Sequence, residues 1–286
     1  MEVLTNNNIK DAVNLWCDNK DNAIEIYGHI SEWDVSRVTD MSNLFKRKIN
    51  FNEDISRWDV SNVTDMDTMF RDASSFNQNI NTKKITKDDG TTYIAWDTSN
   101  VTDMGGMFYN AYKFNQPITC WNVSNVTNMG GMFKRAYLFN QPLNNWDVSN
   151  VECMIGMFYN AVSFNKPIND WDISNVEYMS EMFYNATSFN DNEISLWIIN
   201  DNCIISDMFK NSSIKREDIE NKNYGNKIAS YFNLPNPKTN DELEKIKIER
   251  IKKNIRILEE NKNLPILCDD VEIIIKDFLI KTKLKY

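Results

Sequence analysis

One motif of about 25 residues recurs along the chain and limits the folds that the chain can adopt. Its tryptophan recurs at spacings of 25, 38, 25, 25, 25 and 26 residues, as Trp33, Trp58, Trp96, Trp121, Trp146, Trp171 and Trp197. A phenylalanine keeps the same register, as Phe45, Phe70, Phe108, Phe133, Phe158, Phe183 and Phe209. A unit this short cannot bury two faces alone, so equivalent residues of neighbouring copies must stack. Residues 32–215 are therefore predicted to form a repeat solenoid of six full copies and a partial seventh.

Apolar residues within one copy follow two different periods. In the fifth copy they are Trp146, Val148, Val151, Met154, Met157, Phe158, Ala161, Phe164 and Ile168. A spacing of two is typical of a strand, and a spacing of three to four is typical of a helix. The pattern predicts an α/β repeat with one short strand and one helical turn in each 25-residue coil.

Polar residues recur at two fixed points of the repeat. Asn follows the second phenylalanine of each copy, as Asn52, Asn77, Asn115, Asn140, Asn165 and Asn190. These side chains are predicted to form a ladder that bonds backbone groups of the neighbouring coil. Asp follows tryptophan in most copies, and a serine comes two residues later. Repeated calcium sites are one interpretation, but one carboxylate per coil is more simply a turn that bonds its own backbone. No metal or cofactor is expected.

The long spacing between Trp58 and Trp96 contains 13 extra residues near 82–94, within the segment NTKKITKDDGTTYIAW. Their order predicts a hairpin in which Lys84 to Lys87 pair with Thr91 to Ile94. Insertions in repeat proteins project from one face and often bind partners. Lys84, Lys87 and Tyr93 are therefore candidate partner-binding residues, unless the hairpin is a tolerated decoration.

A second candidate surface is formed by the residue that follows each anchor phenylalanine. The series is Lys46, Arg71, Tyr109, Lys134, Tyr159, Tyr184 and Lys210. If the phenylalanine points inward, its successor faces outward, and Tyr and Arg are favoured in protein interfaces. Arg71, Tyr109, Lys134, Tyr159 and Tyr184 are therefore candidate partner-binding residues. The alternative is a row of solvated residues without a partner.

The two ends of the chain depart from the repeat. Residues 1–31 contain an amphipathic helical pattern, which predicts a helical N-terminal cap because the open end of a solenoid needs a cover. Residues 216–238, with Pro235 and Pro237, are interpreted as a linker. Residues 239–286 are predicted to contain two amphipathic helices, one starting near Thr239 and one after Asp269 or Asp270, as a C-terminal cap or helical subdomain.

Charge and composition argue against several classes of function. The net charge is −9, but residues 210–286 carry 17 Lys and Arg against 13 Asp and Glu, whereas the preceding residues carry 15 against 28. An acidic array repels a phosphate backbone, so nucleic acid is not an expected partner. His29 is the only histidine, and the sequence lacks phosphate-binding glycine motifs, so no enzymatic activity is expected. No signal peptide or membrane span is seen, which predicts a cytoplasmic or virion location.

The repeat resembles a known family. The segments WDVSNVTDMDTMFRDASSFNQNI (58–80) and WNVSNVTNMGGMFKRAYLFNQPLNNWDVSNV (121–151), with the lead-in AVNLWCDNKDNAIEIYGHISEWDVS (12–36), resemble BspA-like leucine-rich-repeat surface proteins. The likeness is to their mollicute-type repeat of unknown function and covers about residues 9–215. It implies a leucine-rich-repeat-like solenoid with a parallel sheet, and a role in adhesion or protein interaction. Similar arrays also occur in large DNA viruses and protists.

Together these features predict a non-enzymatic scaffold that binds a protein partner on the surface of its repeats. A structural virion or assembly component is the alternative. A glycan-binding or cell-surface adhesin is a third hypothesis, disfavoured because no export signal is seen.

Overall fold

A computed structural model describes residues 3–219, 225–235, 237–246 and 248–249. By their contacts the residues divide into a unit of Met1–Leu243 and a unit of Glu244–Tyr286. The first unit contains all the repeats. Of the second unit, residues 244–246 and 248–249 are helical.

Two helices precede the repeats. Helix α1 spans Ile9–Asp18 and α2 spans Lys20–Tyr27, where the Asn19 side chain accepts the Asn22 N–H at the start of α2. A short 3₁₀ turn, Ile30–Glu32, leads into the first repeat. The Trp16 ring of α1 lies 5.8 Å from the Trp33 ring, edge to face. The two helices therefore pack on the first coil with an aromatic contact.

The repeats stack as seven successive coils, which we number 1 to 7 from their tryptophans. Parallel bridges join equivalent residues of neighbouring coils: Asp40–Asp65, Asp65–Asp103, Asp103–Asn128, Asn128–Cys153, Cys153–Tyr178 and Tyr178–Ile204. In the segment that follows each bridge residue, every second N–H donates to a C=O of the next coil. Examples are the Gly106 N–H, which donates to Gly130 C=O at 2.8 Å, and the Phe108 N–H, which donates to Met132 C=O at 2.9 Å. Each coil thus satisfies its backbone largely through its neighbours.

The segment expected to form a helical turn instead consists of successive four-residue turns. In coil 4 the N–H of Met132 donates to the C=O of Met129, and Gly131, the third residue of that turn, has a φ of 62°. A positive φ at this position favours glycine or asparagine. The N–H of Phe133 donates to Met157 C=O of the next coil. An α-helix would direct that N–H into its own coil, so the stacking contacts replace helical ones.

Aromatic columns fill the interior. The anchor phenylalanines stack with ring centroids 5.3–5.7 Å apart, and the second phenylalanines of successive coils stack at 5.8–6.1 Å. Within coil 5 the two columns meet, since the Phe158 and Phe164 rings are 4.0 Å apart. The Phe158 side chain has no exposed area. Such offset stacking adds to the free energy gained by burying the rings.

Polar side chains bridge the coils in three further columns. The predicted asparagine ladder is confirmed: each Oδ1 accepts the N–H of the next asparagine, from Asn52 through Asn77, Asn115, Asn140 and Asn165 to Asn190. A second set of asparagines, which the sequence analysis did not single out, donates to a serine C=O of the preceding coil: Asn62, Asn100, Asn125, Asn150 and Asn175. Indole N–H groups of five tryptophans donate to backbone carbonyls that come before the tryptophan of the preceding coil: Trp58 to Ile30, Trp96 to Ile55, Trp121 to Ile80, Trp146 to Ile118 and Trp171 to Leu143.

The insertion in coil 2 is an antiparallel hairpin of β1 (Lys83–Thr86) and β2 (Thr92–Ala95). Its register is the predicted one, with Lys84 opposite Ile94 and a bond from Lys87 N–H to Thr91 C=O. Stacking resumes beyond it, because Thr102 N–H donates to Thr64 C=O of coil 2 at 2.9 Å. The hairpin is therefore accommodated outside the coil-to-coil bonding.

The C-terminal side of coil 7 differs from the expected linker at 216–238. Helices α3 (Arg216–Ile219) and α4 (Asn226–Phe232) lie in that range. The Tyr231 hydroxyl of α4 accepts the Phe209 N–H at 3.1 Å, and the rings of Tyr231 and Phe232 lie 5.4 and 5.6 Å from that of Phe209. The prolines suggested a linker, but buried apolar residues in this range pack on the last coil.

The predicted helix near Thr239 begins where the sequence indicates. Thr239 and Glu242 form reciprocal bonds, Thr239 N–H to the carboxylate and Glu242 N–H to the hydroxyl. This is the capping-box arrangement. Leu243 of the same helix is buried. The helix predicted after residue 269 lies outside the described residues.

We expect Phe158→Ala to lower the free energy of unfolding by about 3–5 kcal/mol, because it opens a cavity between two stacked phenylalanine columns. Tyr159→Ala, one residue later on the outside, should cost less, about 1–2 kcal/mol, because only contacts with neighbouring side chains are lost. Trp146→Ala should resemble Phe158→Ala. Denaturant titrations of the three variants measure these differences, and equal losses would show that the inward and outward assignments are incorrect.

Deletion of residues 82–94 should leave a folded array, since it restores the regular spacing and keeps Ala95 before Trp96. The deletion removes the contacts of Tyr93 and Lys83 with the end of coil 1 but leaves the coil-to-coil bonds intact. Circular dichroism and size-exclusion chromatography should show a cooperative, monodisperse protein. Aggregation of the deletion variant would show that the hairpin is part of the structural core.

Candidate functional site

The residues after the anchor phenylalanines form a continuous row on the outside of the array. We call this row, from coil 2 to coil 7, the Tyr–cation column; it comprises Arg71, Tyr109, Lys134, Tyr159, Tyr184 and Lys210. The structure thus brings together all five residues that the sequence analysis proposed from this series. Lys210 extends the row by one coil.

Neighbouring members of the column are in direct contact. The Arg71 guanidinium lies 4.7 Å from the centroid of the Tyr109 ring, and the Lys134 ammonium lies 5.7 Å from Tyr109 and 4.2 Å from Tyr159. The Tyr159 and Tyr184 rings stack at 4.8 Å with an interplanar angle of 4°. These distances are those of cation–π and stacked aromatic pairs.

Lys210 ends the column at coil 7. Its ammonium lies 5.6 Å from the Tyr184 ring and 3.2 Å from an Asp207 carboxylate oxygen. The hydrogen bond and the charge of Asp207 raise the pKa of Lys210. The lysine is therefore protonated when it contacts the ring.

The contacts determine which chemical groups the column presents. The tyrosine ring faces contact a cation or another ring along the row, so the ring edges and hydroxyls are the parts left for other contacts. Sugar recognition by aromatic stacking requires an accessible ring face. The column is better suited to hydrogen bonding and edge contacts with a protein surface.

A second row of outward residues runs beside the column, at the bridge positions and two residues beyond them. We call it the ladder face. In coils 1 to 3 it is acidic, with Asp40, Asp65, Asp67 and Asp103. In coils 5 to 7 the bridge positions hold Cys153, Tyr178 and Ile204 instead, and the positions two residues beyond hold Ile155, Ser180 and Ser206. The backbone pairing is the same at both ends, so the side chains at these positions vary independently of the fold.

The carboxylates of the ladder face are close enough to influence one another. Burial raises the pKa of Asp67, and the charges of Asp103 and Asp65 raise it further, against a lowering by the Thr68 hydrogen bond. Asp65 and Asp103 each accept an N–H two residues along the chain, those of Asp67 and Gly105. These carboxylates are thus engaged with the backbone of their own coils.

The aspartates after tryptophan make the same type of turn. The side chains of Asp34, Asp59, Asp97, Asn122, Asp147 and Asp172 accept the N–H of the serine two residues later. Hydrogen bonds from Ser36 lower the pKa of Asp34, as expected of a turn that stabilises the carboxylate. In the described part of the chain, no group of three or more His, Cys, Asp or Glu is placed to hold a metal ion.

The three candidate residues of the hairpin do not form one group. The Lys87 ammonium lies 5.2 Å from the Tyr93 ring, whereas Lys84 is paired with exposed Ile94 and lies on the other face of the two strands. The Tyr93 hydroxyl donates to Arg57 C=O at 2.6 Å, and burial raises the pKa of this hydroxyl. Tyr93 therefore anchors the hairpin to the end of coil 1, while both lysines remain exposed.

His29 lies at the start of the first repeat. Its Nδ1 accepts the Ser31 N–H at the beginning of the 3₁₀ turn, and its ring lies 5.0 Å from the Trp16 ring, edge to face. These contacts give His29 a structural role in joining α1 to coil 1. Among the described residues, helices are too short or too polar to cross a membrane.

Comparison with known proteins identifies one family. A family model described as Mycoplasma protein of unknown function, DUF285, matches four overlapping segments, residues 17–124, 87–197, 118–224 and 146–246. No curated protein and no solved structure matches the chain. The matches cover the seven coils and confirm that the chain is built from tandem copies of a mollicute-type repeat.

We expect Lys134 and Tyr159 to stabilise each other by about 0.5–1 kcal/mol through their cation–π contact. A double-mutant cycle of Lys134→Gln and Tyr159→Leu, followed by urea unfolding, measures this coupling free energy. Lys166→Gln with Tyr159→Leu provides the control pair and should give additive effects. A coupling free energy no larger than that of the control pair would mean that the contact between Lys134 and Tyr159 does not stabilise the fold.

Proposed function

Because the chain belongs to the Mycoplasma family of unknown function, DUF285, we propose its role from its own surface: a non-enzymatic scaffold that binds protein partners on the outside of stacked repeats. The observation that carries the proposal is the Tyr–cation column, a row of six residues held in mutual contact across six coils, of which the three tyrosines and the arginine are of types favoured at interfaces. The core does not require these residue types, since the same position holds Lys, Arg or Tyr in different coils.

Preorganisation supports binding by this surface. Association costs free energy for each flexible side chain that it immobilises. In the Tyr–cation column the rings of Tyr109, Tyr159 and Tyr184 are already fixed by their neighbours before any partner arrives. Tyrosine and arginine are also the types that contribute most at interfaces.

We further propose that the repeats form a leucine-rich-repeat-like solenoid of the BspA type. Two features support this proposal: the one-residue parallel bridges that link all seven coils, and the close resemblance of residues 58–80 and 121–151 to that family's repeat. The bridges lie on one side of every coil, as the strands of such a solenoid do. An adhesive role at the cell surface is not needed for the proposal.

The non-enzymatic part of the proposal is supported by the way the reactive residues are used. His29 contacts Ser31 and Trp16, and the recurring aspartates bond the backbone of their own turns. Burial raises the pKa of the Cys203 thiol to about 11, which disfavours a nucleophilic thiolate. These groups thus serve the fold rather than a reaction.

Photo-crosslinking tests the scaffold function. A benzophenone amino acid in place of Tyr109 or Tyr159, in cells of the native organism, should give one or two discrete protein adducts. Tyr137 is a matched control, because it is an outward tyrosine of coil 4 that stacks on Tyr112 outside the column.

Adducts that form at the column and not at Tyr137 would support a partner-binding scaffold. Adducts of the chain with itself or with particle proteins, together with co-sedimentation in particles, would favour the structural assembly component. Adducts from Tyr137 alone, or from none of the three positions, would contradict the proposal. Fractionation of the same cells tests the predicted cytoplasmic or virion location.

A further inference from the structure

The ladder face of coils 5 to 7 carries an exposed apolar strip beside the Tyr–cation column. Cys153, Tyr178 and Ile204 are bridged directly to one another, and Ile155 lies two residues after Cys153. Ile155, Tyr178 and Ile204 are exposed by 42%, 44% and 50%. We call these four residues the apolar strip. Contiguous exposed apolar side chains of this kind mark interaction sites, whereas isolated ones are ordinary.

Folding does not account for the strip. The equivalent bridge residues of coils 1 to 4 are Asp40, Asp65, Asp103 and Asn128, which make the same parallel bridges. The position of Ile155 is held by Asp67 in coil 2 and by glycine in coils 3 and 4. Polar residues and glycine thus occupy these positions in other coils, where the same bridges form. The bridges do not require apolar side chains here.

Carboxylates border the strip on both sides. Glu152 and Glu177 immediately precede Cys153 and Tyr178, and both are exposed. On the other side, three residues after the bridge position, lie Glu181 of coil 6 and Asp207 of coil 7. The side chains of two nearby lysines are engaged: Lys210 with Asp207, and Lys227 with the C=O of Cys203. Because four carboxylates face two ammonium groups, the border carries net negative charge.

The acidic border determines which occupant fits. A second copy of this chain, placed face to face, would bring Glu152, Glu177 and Glu181 against carboxylates of the same face. Like charges in close contact destabilise such an interface. A segment with apolar side chains in the centre and Lys or Arg on both sides would bury the strip and pair with its border.

We propose that the apolar strip is the docking site for a basic amphipathic segment of a partner protein. The proposal rests on the scaffold function and gives its partner a chemistry. Apolar contact with Ile155, Tyr178 and Ile204 supplies affinity, while the glutamates fix the orientation and select against acidic segments. The Tyr159–Tyr184 stack belongs to the same two coils as Ile155 and Tyr178.

Fluorescence anisotropy with a labelled synthetic peptide tests this site. The probe is a helical-period peptide of Leu and Lys only, and its controls replace Lys by Glu or Leu by Ser. The Leu–Lys probe should bind the full chain, and Ile155→Asp combined with Ile204→Asp should weaken binding by about tenfold or more. Glu152→Lys combined with Glu177→Lys should weaken it by about fivefold or more.

Leu138→Asp provides the matched control, because Leu138 is 53% exposed in another column of the array. It should change the affinity by less than about twofold. All substituted residues are exposed, and thermal melts of each variant check that the fold is kept. Sedimentation of the unmodified chain and of the Ile155→Asp variant reports whether the chain self-associates through the strip.

Equal binding of the Leu–Lys and Ser–Lys peptides, equal loss in Leu138→Asp, or no binding would overturn the docking site. A dimer that Ile155→Asp dissociates would overturn it as well, because a second copy would then occupy the strip. Persistence of column crosslinks to a partner in the strip variant would show that the scaffold function stands while the docking site fails. If the unmodified chain gives no crosslinks from the column to a partner, the proposed scaffold function is contradicted instead.

Discussion

Backbone hydrogen bonding between coils is the constraint on which the rest of this structure depends. In the bridge segment of each coil, every second N–H has no partner in its own coil. The C=O groups of the next coil supply those partners, and they do so only when equivalent residues lie side by side. Stacked phenylalanines, the asparagine ladder and the Tyr–cation column all follow from that single register.

The same constraint separates what could be predicted from the sequence from what could not. The anchor residues and the asparagine ladder could be predicted because they recur in each copy. The hairpin register could be predicted from local turn chemistry. The turns of the Met-x-x-Met-Phe segment could not be predicted, because the spacing of their apolar residues equals that of a helix. Only positive φ values, as at Gly131, distinguish these turns from a helix. Helix α4 was not predicted, because Pro235 and Pro237 indicated a linker. Its contacts with Phe209 join residues that are far apart in the sequence.

Surface features divide in the same way. The Tyr–cation column could be predicted because one aligned position alternates between Tyr and cations. The apolar strip could not, since Cys153, Tyr178 and Ile204 occupy a position that is aspartate or asparagine in four earlier coils and looks like random variation in a single sequence. Only the bridges show that these residues are neighbours. The core does not constrain the variable positions of the repeat. The residues at these positions therefore make the surface of one group of coils chemically different from that of another.

The bond between the Tyr231 hydroxyl and the Phe209 N–H has a consequence for the length of the array. In every earlier coil the corresponding N–H is bound by another coil, so an uncovered coil 7 would be a template for a further chain. Tyr231 and Phe232 occupy that position, so the Phe209 N–H is not open to a further chain. Because this contact involves only coil 7 and α4, a change in the number of coils between Trp58 and Trp197 would leave it unchanged.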